Sequence, residues 1–191
     1  MIENLGHLGL VVNSAIESLP PVELVEYCTE LYYRPYYNLL RLLTVYSKHG
    51  ICVELGVEKG RASFAMCLGG GTVYGMDHTR RGEIAAVKHS FPDLFHFVEQ
   101  PSLPLPQAIL DQDRPISVLH IDTEHSYAQA REGFYAYQPL LAVPAVVYFD
   151  DTHAQENQVG HFVTTLRWPT IFDDRLHECG YAVMLYTGDG G

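Results

Sequence analysis

Short apolar runs alternate along the chain with stretches in which apolar residues recur every three or four positions. The short runs are typical of strands buried in a sheet, and the longer periodic stretches are typical of amphipathic helices. The runs predict strands at residues 51–55, 72–76, 94–98, 116–121, 145–149 and 181–186. Helices are predicted up to residue 68, at 82–90, 103–113 and 127–141, and from 155 to 178 with an interruption at Pro169. This alternation predicts a doubly wound α/β fold, in which helices cover both faces of a mostly parallel, Rossmann-like sheet.

The first 49 residues follow a different pattern. Residues 1–21 show little periodicity and end in two prolines, so we expect an irregular arm. From Val22 the spacing becomes helical, with a break or kink at Pro35. Tyrosines crowd residues 32–37, and we expect them to pack this helical extension onto the sheet with their hydroxyls in water, in preference to forming a lid or a dimer surface. We therefore predict a single domain, residues 1–191, in which an N-terminal arm and helices (1–49) precede an α/β core (50–187).

Composition and charge narrow the range of functions. The apolar fraction of 47% and the charged fraction of 18% are those of an ordinary globular domain. A formal net charge of −11 argues against nucleic acid or an anionic membrane surface as a partner, since both attract clustered Lys and Arg. The four cysteines have no paired spacing, which predicts neither a disulfide framework nor a zinc site. Because no basic segment opens the chain and no apolar run reaches about 18 residues, we expect a cytoplasmic protein.

A pair of glycines marks the turn after the first predicted strand. Gly56 and Gly60 stand where backbone approaches a ligand in nucleotide-binding α/β proteins, and Asp77 ends the next strand at the separation that suits an acid bound to ribose hydroxyls. The arrangement fits either a dinucleotide or S-adenosylmethionine (SAM). A dinucleotide would place its pyrophosphate near Glu58, which is unfavourable, whereas SAM carries positive charge that Glu54 and Glu58 tolerate. We therefore expect a nucleoside-binding core.

Acidic residues and histidines follow two of the predicted strands. They are Asp122 and His125 after the fourth strand, and Asp150, Asp151 and His153 after the fifth. Neighbouring parallel strands would place them on one rim of the sheet, where α/β proteins bind ligands. Clustered carboxylates favour a hard divalent cation such as Mg²⁺, Mn²⁺ or Ca²⁺ between them. The alternative is that these acids cap helix N-termini.

Three stretches of the sequence together resemble a known family. They are VELGVEKGRAS (53–63), LHIDTEHSYAQAREGF (119–134) and VVYFDDTH (146–153). They are similar to class I SAM-dependent methyltransferases, and above all to the small-molecule O-methyltransferases that include the macrocin and mycinamicin sugar methyltransferases and the cephalosporin-hydroxylase-like proteins. The similarity spans residues 50–165.

This resemblance implies a set of site residues. The residues expected to bind the cofactor SAM are Glu54, Gly56, Gly60, Asp77, Asp122 and Ser102, the last of these near adenine. The residues expected to hold a divalent metal, usually Mg²⁺, are Asp122, Asp150 and Asp151. His125 would be the general base.

Two departures from the family pattern affect these expectations. Family members commonly have Gly-Asp between the aspartate and the histidine, where this chain has Thr123 and Glu124. The usual seventh strand has no room after residues 181–186, so we predict a sheet truncated at its C-terminal edge. An open edge is an association hazard. Cover by the N-terminal arm, the tyrosine-rich segment or a second subunit is therefore expected, which favours a homodimer.

The chemistry implied is methyl transfer to a hydroxyl of a small molecule, such as a sugar or a catechol-like ring. A metal ion would lower the pKa of the hydroxyl, and His125, with an ordinary pKa of about 6.5, would take its proton. His153 is a second candidate base, although an exposed loop position is the simpler interpretation, and His120 is expected to be a core residue. Two alternatives stay open, a non-methylating hydroxylase-like relative and a non-catalytic nucleoside-binding protein. The histidine beside three acids argues against the second of them.

Overall fold

The computed structural model describes residues 34–46, 50–154, 158–174 and 179–188. The strands are β1 (Ile51–Leu55), β2 (Val73–Asp77), β3 (Phe95–Glu99), β4 (Ile116–Ile121), β5 (Leu141–Asp150), β6 (Thr170–Asp174) and β7 (Tyr181–Tyr186). The helices are α1 (Arg34–Tyr46), α2 (Arg61–Leu68), α3 (Glu83–Ser90), α4 (Gln107–Leu110), α5 (Tyr127–Tyr137) and α6 (Val159–Thr165), with a 3₁₀ turn (Gln138–Leu140) after α5. None of the helices in these ranges is long and apolar enough to cross a membrane. The predicted irregular arm lies outside the described residues.

The strands form one sheet in the order β3-β2-β1-β4-β5-β7-β6. Strands β1 to β5 pair in parallel, and β7 runs antiparallel to both β5 and β6. The prediction of a doubly wound, mostly parallel Rossmann-like sheet is confirmed. The order of strands reverses between β1 and β4, and α/β sheets bind ligands at the carboxyl ends of the strands that flank such a reversal.

The C-terminal part of the sheet differs from the prediction. Thr170–Asp174 is a strand, whereas the sequence predicted that a helix resumes after Pro169. Tyr181–Tyr186 is inserted between β5 and β6 as the seventh strand, so the sheet is not truncated. The prediction was wrong because β6 is an edge strand in which four of five residues are exposed, so its residues show no buried pattern. The homodimer was expected to cover a missing strand, and that argument for it is therefore lost.

Apolar side chains fill both faces of the sheet. On one face β5 packs against α5 and α6 through Phe134, Phe149 and Phe162, whose rings lie within about 6 Å of one another. On the other face α1 and α2 bury Leu40 and Met66 completely. The site described below lies at the carboxyl edge of this sheet, between the two layers.

The tyrosine-rich segment packs onto the sheet, as the sequence predicted, in its described part. The ring of Tyr36 lies edge to face against Tyr148 and Tyr181, with centroid distances of 5.0 Å in both cases. Only 4% of Tyr36 is exposed, and its hydroxyl bonds to His120. The expectation that the hydroxyls face water is therefore wrong for Tyr36. Tyrosines 32 and 33 lie outside the described residues.

Candidate active site

Three loops meet at the carboxyl edge of the sheet, after β1, β4 and β5. Each contains one non-glycine residue in the left-handed region, namely Glu58 at φ 48°, His125 at φ 56° and Asp151 at φ 55°. This conformation costs an ordinary residue about 1–2 kcal/mol. Residues held in it concentrate at functional sites, where the surrounding contacts stabilise them. The strained backbone positions therefore lie at the same edge of the sheet at which the sequence predicts the acidic residues and histidines.

The turn after β1 depends on glycine at position 56. Gly56 has φ 88°, and a Cβ atom added to it would lie 1.8 Å from the carbonyl oxygen of Asp122. Backbone hydrogen bonds hold the turn in place, from the Gly56 N–H to the Met76 oxygen and from the Asp122 N–H to the Leu55 oxygen, each at 2.9 Å. The loops after β1 and β4 are therefore in direct contact, which only a residue without a side chain allows.

Asp77 ties the end of β2 to the same turn. Its Oδ2 accepts the backbone N–H groups of Val57 at 3.1 Å and Glu58 at 2.9 Å, and its Oδ1 accepts that of Thr79 at 2.9 Å. A carboxylate has about four acceptor sites. Asp77 therefore orders the turn and keeps acceptor capacity for a ligand.

A cavity of about 430 Å³, called the larger cavity below, opens between the loops after β1, β2, β3 and β4. Four of the predicted cofactor residues line it, namely Gly56, Asp77, Ser102 and Asp122. The Ser102 loop is held by the hydroxyl of Tyr137, which donates to the Ser102 carbonyl oxygen at 2.8 Å. The volume is typical of a site for a small molecule or cofactor.

The larger cavity is acidic. Its carboxylates belong to Glu58, Asp77, Asp122, Glu124 and Glu132. Among the described residues that line it there is no lysine or arginine. Such a wall favours a neutral or cationic ligand and disfavours a phosphate.

Glu54 lies outside the larger cavity. It is 1% exposed, its carboxylate accepts a hydrogen bond from the Ser63 hydroxyl, and its Oε1 lies 3.6 Å from Nδ1 of His120. Burial raises the pKa of Glu54, and His120 opposes that rise. Glu54 lines a second space of about 60 Å³, the smaller cavity, together with Tyr36, Asp122 and Asp150. Asp122 lines both cavities and so stands between them.

His125 bridges the loops after β4 and β5. Its Nε2 lies 3.0 Å from Oδ1 of Asp122, and its Nδ1 lies 2.5 Å from Oδ2 of Asp151. Hydrogen bonds to Asp122 and then to Asp151 raise the pKa of His125 from 6.5 to about 10. At neutral pH the ring is therefore an imidazolium that donates to both carboxylates. The expectation of an ordinary pKa for this residue is wrong in this arrangement.

The metal centre predicted at Asp122, Asp150 and Asp151 is not confirmed. Oδ1 of Asp122 and Oδ2 of Asp151 contact opposite nitrogens of the His125 ring, so these two oxygens do not converge on one ion at the about 2.1 Å that Mg²⁺ requires. Burial, followed by the charge of Asp122, raises the pKa of Asp150 to about 8. Within the described ranges, no group of three or more His, Cys, Asp or Glu side chains is placed to bind an ion. As they are arranged, these residues do not fit a divalent metal.

Two other candidate positions are not among the residues that line either cavity. Gly60 has φ 79°, and an added Cβ would lie 2.9 Å from Cγ2 of Val87, so glycine here lets α3 pack against the turn. Its neighbours Lys59 and Arg61 line the smaller cavity. His153 directs Nε2 at Oδ1 of Asp173 on β6, at a distance of 2.5 Å.

Sequence reasoning missed one component of the site, the contact of Tyr36 with His120. His120 is fully buried, as predicted, but its Nε2 is also hydrogen-bonded to Tyr36, and its Nδ1 lies 3.6 Å from Glu54 at the smaller cavity. The sequence did contain a signal for the contact between Glu54 and His120, because each is the penultimate residue of a predicted strand. The structure pairs them in register.

Comparison with known proteins places these observations in a family. A family model for a methyltransferase domain matches residues 53–152, which is more than half of the chain. No curated protein matches the sequence.

Solved structures share the fold at low sequence identity. A TDP-rhamnose 3'-O-methyltransferase of calicheamicin biosynthesis is 17% identical with a TM-score of 0.65, over 96% of this chain and 94% of that chain. An O-methyltransferase of tomaymycin synthesis from Streptomyces achromogenes, in complex with SAM, is 17% identical with a TM-score of 0.62, over 81% of this chain and 80% of that one. An O-methyltransferase from Bacillus cereus, in complex with S-adenosylhomocysteine (SAH), is 13% identical with a TM-score of 0.64, over 97% of this chain and 100% of that one. At these identities the likeness establishes the fold.

Proposed function

The chain belongs to the methyltransferase-domain family, and from that membership we propose that it transfers the methyl group of SAM to a hydroxyl group of a small molecule. One observation carries the proposal. The larger cavity brings together Gly56, Asp77, Ser102 and Asp122 from four separate loops, at the edge where this fold binds ligands.

Charge supports SAM over a dinucleotide as the ligand. A pyrophosphate beside Gly56 would face Glu58 and the other carboxylates of the larger cavity. SAM has no phosphate, and its sulfonium and ammonium groups are cationic. The complexes of two structurally similar O-methyltransferases with SAM and with SAH support the same choice.

We assign the nucleoside end of SAM to the larger cavity. The remaining acceptor site on Asp77 suits a ribose hydroxyl, and Ser102 would lie near adenine. Gly56 leaves room for close approach of the ligand to the backbone. The carboxylates of Glu54 and Asp122 at the smaller cavity would face the ammonium group of the amino-acid end, and Lys59 or Arg61, which also line this cavity, would face its carboxylate.

We assign the acceptor hydroxyl to the position between His125 and Asp151. There it would replace the Asp151 carboxylate on Nδ1, while Asp122 keeps its contact with Nε2. Loss of the Asp151 hydrogen bond removes one of the two contacts that raise the pKa of His125, so the ring would release its Nδ1 proton to solvent when the acceptor binds. His125 would then be oriented by one carboxylate, with Nδ1 free to take the hydroxyl proton, as in the histidine–aspartate pairs of other enzymes. Bound SAM would supply the electrophile, since the acceptor oxygen bonds to the methyl carbon as the carbon–sulfur bond breaks and its electron pair stays on sulfur. No step is assigned to a metal ion, because the described carboxylates do not converge on one.

The structurally similar proteins support a hydroxylated small molecule as the acceptor. All three structures described above are O-methyltransferases, and one of them acts on a nucleotide sugar according to its description. The net charge of −11 fits a small acceptor better than a nucleic acid.

Calorimetry with SAH tests the cofactor assignment. Wild-type protein should bind SAH, and Asp77→Ala should weaken binding more than about tenfold, because both the turn and the ribose contacts are lost. Asp111→Ala is a matched control, because this carboxylate is exposed and bonds only to Gln107. Binding of NADH in place of SAH would show that the assignment is wrong.

Turnover tests the acceptor assignment. Formation of SAH from SAM should require both the protein and a hydroxylated small molecule from a panel of sugars, nucleotide sugars and catechols, and should be lost in His125→Ala. Binding of SAH without methyl transfer to any hydroxyl would favour the hydroxylase-like or non-catalytic alternatives.

A further inference from the structure

A row of polar side chains crosses the sheet beneath the smaller cavity. Glu54, His120 and Tyr148 are paired in register on β1, β4 and β5, and each is at most 1% exposed. Helix α1 lies over the same face and places Tyr36 on this row. The ring of Tyr36 meets that of Tyr148 edge to face at 5.0 Å, and its hydroxyl contacts His120. Burial of a polar group costs free energy unless the group is hydrogen-bonded. The stability of this row therefore depends on the contacts between its side chains.

The contacts form a chain from α1 to the smaller cavity. The Tyr36 hydroxyl lies 2.5 Å from Nε2 of His120, and Nδ1 of His120 lies 3.6 Å from Oε1 of Glu54. Burial raises the pKa of Tyr36 well above its usual value, so the phenol keeps its proton. When the phenol donates to Nε2, the proton of the neutral ring is on Nδ1 and points at Glu54. Tyr36 thereby favours the tautomer of His120 whose Nδ1 proton faces the carboxylate.

We propose that Tyr36 is a positioning residue for SAM binding, which acts through His120 to fix the Glu54 carboxylate at the smaller cavity. This inference rests on the proposed function, since it needs a cationic ligand group beside Glu54. Ser63 on α2 hydrogen-bonds to one oxygen of Glu54, and Nδ1 of His120 faces the other at 3.6 Å. The helical extension before β1 thus contributes to the cofactor site through a residue of its own.

The test compares two tyrosine hydroxyls in one aromatic cluster. Tyr36→Phe should weaken SAH binding about tenfold in calorimetry and raise the KM for SAM, with kcat little changed, because the Glu54 carboxylate is no longer held in place for the ligand and the reacting atoms are untouched. Tyr148→Phe is the matched control. Its hydroxyl is equally buried, contacts the Tyr36 carbonyl oxygen at 3.5 Å and the Tyr181 side chain, and does not line the smaller cavity. This control should bind SAH like the wild type.

A double-mutant cycle separates positioning from general destabilisation. In a Glu54→Gln background, Tyr36→Phe should cause no further loss of SAH affinity, because its route to the ligand has already been removed. His120→Asn provides a second variant should Tyr36→Phe fold poorly. The amide can replace Nδ1 but nothing replaces Nε2, so the same loss as for Tyr36→Phe is expected.

Three results would overturn the inference. They are wild-type affinity in a folded Tyr36→Phe or His120→Asn protein, an equal loss in Tyr148→Phe, and additive losses in the cycle with Glu54→Gln. Failure of the wild type itself to bind SAH would instead refute the proposed function, and this inference with it.

Discussion

Replacement of Gly56 by alanine tests the contact between the loops after β1 and β4. The added Cβ would lie 1.8 Å from the Asp122 oxygen, and real Cβ atoms essentially never come closer than 3.0 Å, so the Asp122 loop must move by about 1.2 Å. Alanine at φ 88° adds about 1–2 kcal/mol of backbone strain, and the forced movement adds about 1–3 kcal/mol. We therefore expect a loss of stability of about 2–5 kcal/mol, or about 4–20 °C in Tm for a protein of this size.

The chain offers a matched control at Gly70, which follows α2. Gly70 has φ 82°, nearly the value of Gly56, but no atom lies within 4 Å of an added Cβ. Gly70→Ala should therefore show only the backbone strain of about 1–2 kcal/mol. Thermal unfolding followed by circular dichroism, together with SAH calorimetry, measures both effects. Equal losses of Tm in the two variants, or undiminished SAH binding by Gly56→Ala, would refute the reasoning, because only Gly56 touches the Asp122 loop.

Three further predictions follow from the charges and burial described above. His125 has a pKa raised from 6.5 to about 10, so its ion pairs stabilise the fold fully below pH 6.5 and are lost as the pH rises towards 10. The difference in unfolding free energy between the wild type and His125→Gln, measured with denaturant, should therefore shrink over that range, and a constant difference would contradict the bridge. Calorimetry of the free protein with Mg²⁺ should show no binding tighter than about 1 mM, whereas micromolar binding lost in Asp122→Asn would show that the carboxylates can converge. Burial raises the pKa of Cys52 to about 12 and also raises that of Cys67, and both thiols are free, as the sequence predicted. Mass spectrometry after treatment with a thiol reagent at pH 8 should find both unlabelled until the protein is denatured.

The central sheet was predictable because its strands are buried on both faces. Every residue of β1 and β4 is buried, and the two strands are apolar except at Glu54, Ser117 and His120. The positions at which such strands end are therefore visible in the sequence. Asp122 and Asp150 stand at the ends of β4 and β5, and both line the smaller cavity, as expected of residues on one rim. β6 lacked this signal, since it packs against a single neighbour and most of its residues face outward.

The arrangement of charges within the rim could not be predicted in the same way. The bridge formed by His125 depends on a left-handed backbone at His125 itself and at Asp151, and on which nitrogen meets which carboxylate. A list of acids and a histidine is compatible with a metal site or with an ion-paired ring, and spacing along the chain does not distinguish the two. The expectation that the Tyr36 hydroxyl faces water was wrong because the same spacing of tyrosines is compatible with hydroxyls in water and with hydroxyls in the core.

The position of β7 between β5 and β6 sets an order for assembly of the fold. β6 makes no pairing with β5, so it can join the sheet only together with or after β7. β6 and β7 are near neighbours in sequence and form an antiparallel hairpin, which can close locally before it docks on β5. Hydrogen bonds from the N–H groups of Thr152 and His153 to the oxygens of Gly180 and Cys179 extend this docking into the loop that carries Asp151. Opening of the hairpin would therefore release an edge of the sheet and one wall of the acceptor position in a single step, and hydrogen exchange should report both as one cooperative unit.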